Sequence, residues 1–175
     1  MGQFTTAEKE NYMREALFEA RSAAQIGEVP IGAVVVQAGK IIGRGHNLRE
    51  HTQDATTHAE ILAIQEACLT VKSWRLEDAA IFVTLEPCPM CSGAIINSRL
   101  AAVYYGAADP KAGTAGTFMN LLTDQRFNHQ ATVESGVLAE DAQAQLQQFF
   151  RAIRARRKAT KQAAQKKLTE DDVKD

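Results

Sequence analysis

The run Ala79–Leu85, AAIFVTL, constrains this chain more than any other stretch. Seven uncharged residues, most of them apolar or β-branched, read as a buried strand, and Glu86-Pro87 ends it because proline has no N–H to extend a ladder. A helix follows at once from Cys88, since Pro89 is tolerated in a first turn and Ala94, Ile95 and Ile96 give the helix an apolar body. A strand that feeds directly into a helix is the repeating unit of an α/β fold.

The flanking segments agree with that class. Thr5-x-x-Glu8 has the form of a capping box, and Tyr12, Met13, Ala16, Leu17, Ala20 and Ala24 recur at helical spacing up to Gly27. Residues 31–36 and a second run from Ile41 flank Ala38-Gly39, which reads as a hairpin. Residues 46–57 are polar and irregular, and a further helix begins near His58 with Ile61, Leu62, Ile64, Ala67 and Cys68 along it. Residues 101–105 predict another strand, residues 132–134 a weak one, and residues 118–122 a short helix in the glycine-marked loop between them. Residues 140–158 form a terminal helix with Leu146, Phe149, Phe150 and Ile153 as its apolar face. The expected architecture is α/β with three layers, α/β/α, in which helices flank a mixed central sheet of about five strands. One domain, residues 1–160, holds the core, and residues 161–175 form a charged tail expected to fray or be disordered.

Three cysteines make no even disulfide framework, no apolar run is long enough to span a membrane, and no basic-then-apolar leader opens the chain. A reducing, cytoplasmic setting and no membrane association are expected. The formal net charge is −1, from 20 Lys and Arg against 21 Asp and Glu. Residues 151–167 nevertheless carry eight bases and no acid, which leaves 12 bases against 21 acids elsewhere. An acidic body with a basic end points to a polyanionic partner.

Cys88 and Cys91, at i and i+3, present two thiols on one helix face at a helix N-terminus, where the dipole favours thiolate. His58 supplies a third ligand, and the set suits zinc with a fourth position open for water. Zinc brings the pKa of that water towards about 7, and Glu60 can then relay protons. His58 and Glu60 are two apart and point to separate azimuths on a regular helix, so both can serve only if His58 stands at the helix start. Cys-x-x-Cys after a strand also reads as a thioredoxin-like redox pair. Cys68 is expected to be a buried, inert thiol; His46, His51 and His129 polar loop residues; and Trp74, Phe82 and Phe118 core.

His58-Ala59-Glu60 followed by Pro87-Cys88-Pro89-Met90-Cys91 resembles the known signature of the zinc-dependent cytidine/deoxycytidylate deaminase superfamily. Glu28-Val29-Pro30-Ile31-Gly32-Ala33, Gly45-His46-Asn47, Gly106-Ala107-Ala108-Asp109-Pro110-Lys111 and Phe149-Phe150-Arg151 are similar to segments of the bacterial tRNA-specific adenosine deaminases. The resemblance implies a cytidine deaminase-like fold and a homodimer. It implies one zinc per chain on His58, Cys88 and Cys91, and hydrolytic deamination of the wobble adenosine in a tRNA anticodon stem-loop to inosine. Glu60 would be the general acid/base, Asn47 and the Ala59 backbone would contact the flipped base, and Asp109 and Lys111 would lie near neighbouring nucleotides. The basic helix, with Phe149, Phe150, Arg151 and Arg154, would meet RNA. The alternatives are a deaminase of a free nucleobase or nucleoside such as guanine or cytidine, or a zinc-stabilised nucleic-acid-binding module without chemistry.

Overall fold

A computed structural model describes residues 4–171. Helix α1 (Thr6–Gln25) leads to strands β1 (Gly32–Gln37) and β2 (Lys40–His46), a single-turn helix α2 (Arg49–Thr52) and helix α3 (Ala59–Val71). Strand β3 (Ala79–Leu85) runs into α4 (Pro89–Ser98), followed by β4 (Ala102–Ala107), β5 (Thr132–Ser135) and α5 (Ala139–Asp171). The strands form one five-stranded sheet in the order β2-β1-β3-β4-β5, with β2, β1 and β3 antiparallel and β3, β4 and β5 parallel. The mixed, three-layer expectation holds.

Alternation along the strands explains the layers, because successive side chains face opposite sides of a sheet. Ala33, Val35, Ile81, Val83, Val103 and Tyr105 pack with Ala59, Ala63, Ile64 and Ala67 of α3 and Ile95 of α4. Val34, Val36, Phe82 and Tyr104 pack on the other face with Met13 and Leu17 of α1 and Ala142 of α5. Phe82 stacks on Tyr104 with centroids 4.6 Å apart, and the Phe4 ring stands edge-on to both.

Local signals placed α1 and the hairpin correctly. Thr5 accepts from the Glu8 N–H while Glu8 accepts from the Thr5 N–H, which completes the capping box. Ala38 and Gly39 both have positive φ, 48° and 75°, the backbone that a two-residue turn matching the twist of its strands requires.

Several expectations change. Residues 118–122 form no helix; this stretch is irregular, with Ala115 bridging Asn120. Residues 46–57 contain the short α2. Trp74 and Phe118 are 54% and 62% exposed and are not core, whereas Phe82 is fully buried. Cys68 is half-buried at the core's edge, with its thiol 3.9 Å from Trp74 O. The terminal helix runs past Lys158 to Asp171, and residues 172–175 of the charged tail lie outside the described residues.

The site is positioned by close backbone contact between β2 and α3. Gly43 and Gly45 face Ala63 and Ala67, and Ala59 and Ala63, so closely that a Cβ on Gly45 would fall 2.3 Å from Ala59 O. A strand of glycines against a helix stripe of alanines lets the two backbones touch, and this fixes the N-terminus of α3 relative to the sheet.

Candidate metal centre and active site

Two helices begin at the same end of the sheet. His58 is the N-cap of α3, and Cys88 is the N-cap of α4 with Pro89 at the first helical position. No side chain caps either helix start, so their free N–H groups and dipoles act on what lies there. His58 therefore stands where its geometry with Glu60 requires.

The donor atoms of His58, Cys88 and Cys91 lie within 4.8 Å of one another. His58 Nδ1 is 3.5 Å from Cys91 Sγ and 3.7 Å from Cys88 Sγ. A tetrahedral zinc with bonds of about 2.3 Å to sulfur and about 2.05 Å to nitrogen separates its S and N ligands by about 3.55 Å. The donor set therefore fits zinc in both chemistry and spacing, with one coordination position left for a non-protein ligand.

The electrostatics reflect three donors held close together. The hydrogen bond from the Cys91 thiol, and then that with His58, bring the Cys88 pKa down to about 4 despite burial. Cys91 is pushed far above the ordinary thiol range by its bond to Cys88 and by burial. The hydrogen bond to Cys88 raises His58. One thiolate is thus already formed, and a metal must displace the Cys91 proton.

Glu60, in the first turn of α3, is 4% exposed, and burial pushes its pKa up to about 7. Its Oε2 is buried without a hydrogen-bond partner. A carboxyl that titrates near neutrality can both take and give a proton there. Asn47 Oδ1 is buried and unpartnered as well, in a residue 4% exposed that follows the end of β2. The Asn47 N–H donates to Ile31 O, and the Leu48 N–H donates to Thr57 O, which places Asn47 beside the residues leading to His58. Buried polar groups are normally satisfied, so these two oxygens mark space for a polar ligand. Gln145 Oε1 is also buried and unpartnered, but it lies between α1 and α5 on the other face of the sheet. Ala59 is fully buried against Gly45.

Asp109 and Lys111 sit on the loop after β4, where Asp109 Oδ1 accepts from the Lys111 N–H. Phe149, Phe150, Arg151 and Arg154 are not brought to His58, Cys88 and Cys91, because α5 packs on the opposite face. Phe149 is half-buried in a groove of about 420 Å³ with Arg21, Ala24, Gln25 and Pro30, and Phe150, its edge-on neighbour, is 42% exposed. Arg151 and Arg154 are exposed. His46 Nδ1 lies 3.0 Å from Glu19 and His129 Nε2 lies 2.7 Å from Leu100 O, so both ring nitrogens have protein partners. Sequence reasoning missed two buried acids. Glu28 accepts from the His51 N–H, and Glu86 accepts from three loop amides. Only the adjacency of Glu86 to Pro87 hinted at its role.

The profile of the MafB19-like deaminases matches residues 7–154. The tRNA-specific adenosine deaminase of Bacillus subtilis (strain 168) is 55% identical over 161 residues, 92% of this chain and 98% of that protein. A solved structure from a study of A-to-I editing by tRNA:A34 deaminases at the wobble position of transfer RNA superposes with a TM-score of 0.73 at 40% identity. It covers 78% of this chain and 99% of its own. The guanine deaminase of Bacillus subtilis superposes less well, with a TM-score of 0.56 at 38% identity over 62% of this chain and 69% of that one.

Proposed function

The chain belongs to the MafB19-like deaminase family, and on that premise we propose that it hydrolyses the wobble adenosine of tRNA to inosine, with one zinc ion held by His58, Cys88 and Cys91. The observation that carries the chemistry is the open three-donor set beside a buried carboxyl that titrates near neutrality and keeps one oxygen without a partner. The choice of substrate is supported by the relative 55% identical over nearly the full length of both chains.

A zinc ion held by His58, Cys88 and Cys91 would supply a hydroxide nucleophile near neutral pH. Glu60 would move the protons, passing one from the water to ring N1 as C6 is attacked and then the one left on the new C6 hydroxyl to the exocyclic nitrogen. Ammonia then leaves, and the C6 carbonyl of inosine remains. Asn47 holds the flipped base through its unpartnered oxygen or, turned over, its amide, and the buried Ala59 backbone lies beside the base. An anticodon loop leaves its bases unpaired, so extruding one is less costly than from a duplex.

In this reading Asp109 and Lys111 face the neighbouring nucleotides, and Phe149, Phe150, Arg151 and Arg154 belong to the RNA surface. The course of α5 supports that role. Asp141 and Gln145 lie by Arg14 and Leu17, and Phe149 and Ala152 lie by Ala24, Gln25 and Pro30, so α5 runs parallel to α1. Pro30 leads to Gly32, whose N–H donates to Thr84 near the end of β3. The exposed basic part of α5 therefore leaves the body at the end of the sheet that carries the metal ligands, and residues 153–171 extend about 28 Å as a helix. Residues 1–160 form the catalytic unit and residues 161–175 a charged tail. A homodimer and a cytoplasmic location complete the proposal; among the described residues no helix is long and apolar enough to cross a membrane.

The competing reading, deamination of a free base such as guanine, has the structural likeness to guanine deaminase in its favour. Turnover of an anticodon stem-loop bearing the wobble adenosine, compared with free adenosine and free guanine, separates the two. Inosine in the stem-loop only is expected; equal or faster turnover of a free substrate overturns the tRNA assignment.

A further inference from the structure

The loop between β4 and β5 is stitched to the turn that carries Cys88, and one side chain makes three of the stitches. Glu86, 2% exposed at the end of β3, accepts the N–H of Asp109 on Oε2 at 3.0 Å. Its Oε1 accepts the N–H groups of Ala115 and Thr117, each at 3.0 Å. A single carboxylate thereby gathers three amides spread over nine residues. Gly113 closes over it so tightly that a Cβ there would lie 2.3 Å from the carboxyl carbon. Thr114 completes the attachment: its N–H and hydroxyl both donate to Pro87 O, and its hydroxyl pairs with Ser92 on α4 at 2.8 Å.

From this geometry we infer that Glu86 is a positioning residue for the deamination, holding the Asp109–Lys111 segment at a fixed distance from the Cys88–Cys91 turn so that loop and metal site grip one substrate together. The inference rests on the tRNA reading. Only a carboxylate satisfies the arrangement, since all three partners are donors and both oxygens are used. An amide at this position keeps one oxygen and turns its NH2 group towards either Asp109 N–H or the Ala115 and Thr117 N–H pair. Donor then faces donor in each orientation, and part of the loop is released. A network of this kind, fully satisfied, fixes a single loop position, and with one acceptor missing it does not.

The test is Glu86→Gln in the zinc-loaded full chain. The expected results are zinc near one per chain, kcat within about twofold of the unsubstituted protein, and a KM for the anticodon stem-loop raised on the order of 10-fold, the effect of losing one charge-assisted bond. Amide exchange at Asp109, Ala115 and Thr117 should quicken while α3 and β3 stay protected. Gly113→Ala, which pushes on the carboxylate from the loop side, should reproduce the KM change; if Glu86→Gln fails to fold, this variant decides. An unchanged KM, or a global loss of protection with KM unchanged in the folded fraction, overturns the inference. Absence of inosine with the unsubstituted protein would instead refute the tRNA reading, and the exchange measurement would still report whether Glu86 holds the loop.

Discussion

Replacing Gly45 by alanine tests whether backbone contact between β2 and α3 sets the active-site geometry. The new Cβ would fall 2.3 Å from Ala59 O, 2.6 Å from Ala63 N and 2.9 Å from Leu62 Cβ. A carbon and a carbonyl oxygen rest at roughly 3.3 Å or more, so α3 must retreat by about 1 Å. Both obstructing groups nearest the new atom are backbone, and no side-chain rotation relieves them. Overpacking typically costs about 1–3 kcal/mol, and this site belongs near the upper end. The same retreat carries His58 and Glu60 away from Cys88 and Cys91, whose sulfur-to-nitrogen distances of 3.7 and 3.5 Å already match zinc. A displacement of that size is worth about 100-fold in rate when it separates reacting groups. Urea denaturation of the metal-free chain, zinc content after dialysis and inosine formation should therefore all fall together. Gly93→Ala is the control, since a Cβ there meets nothing within 4 Å in the middle of α4, and it should gain about 0.5–1 kcal/mol. If Gly45→Ala matches Gly93→Ala in stability and turnover, the account of how α3 is placed is wrong.

Glu60→Gln should retain zinc and abolish inosine formation, measured by metal analysis and product assay. Its effect on stability has a definite sign. Burial raises the Glu60 pKa from 4.5 to about 7, so as pH rises through that window the metal-free protein loses stability by an amount on the order of 3 kcal/mol. Metal-free Glu60→Gln should therefore unfold at higher urea than the parent at pH 8 and show no such gain at pH 4. Because Cys91 must shed a proton that its surroundings hold tightly, competition with a chelator should show zinc affinity weakening as pH falls, with proton release on binding detectable in weak buffer. Changing Arg154, Arg157, Lys158 and Lys161 together to alanine should weaken stem-loop binding without changing zinc content. The log–log salt slope should become shallower by about 3, at roughly 0.7 per lost single-strand phosphate contact. An unchanged slope would remove α5 from the RNA surface.

Sequence by itself determined what depends on near neighbours. The capping box of Thr5 and Glu8, the turn at Ala38-Gly39, the strand before Pro87 and the two helix starts at His58 and Cys88 all follow from backbone preference and residue spacing. The sheet's two faces followed from period-two alternation. The cluster of His58, Cys88 and Cys91, which could hold a metal, was legible because His, Cys and Cys at helix starts have few other uses in combination. Only tertiary structure decided the rest. Trp74 and Phe118 are as apolar as Phe82, but whether a ring is covered depends on which elements pass over it. Residues 118–122 contain apolar side chains at helical spacing, but their backbone is spent on Gly113, Thr114 and the bridge to Asn120. Nothing within ten residues of Glu86 explains a buried carboxylate. Its partners are amides 23 to 31 residues away; burial pushes its carboxyl pKa up, but the hydrogen bonds from Thr117, Asp109 and Ala115 outweigh that and hold it below the ordinary value. Gly43 and Gly45, to which the sequence reading gave no role, are the contact that seats α3. For Glu86 and the two glycines the deciding interaction joins segments distant along the chain, and local pattern carries no record of distance in space.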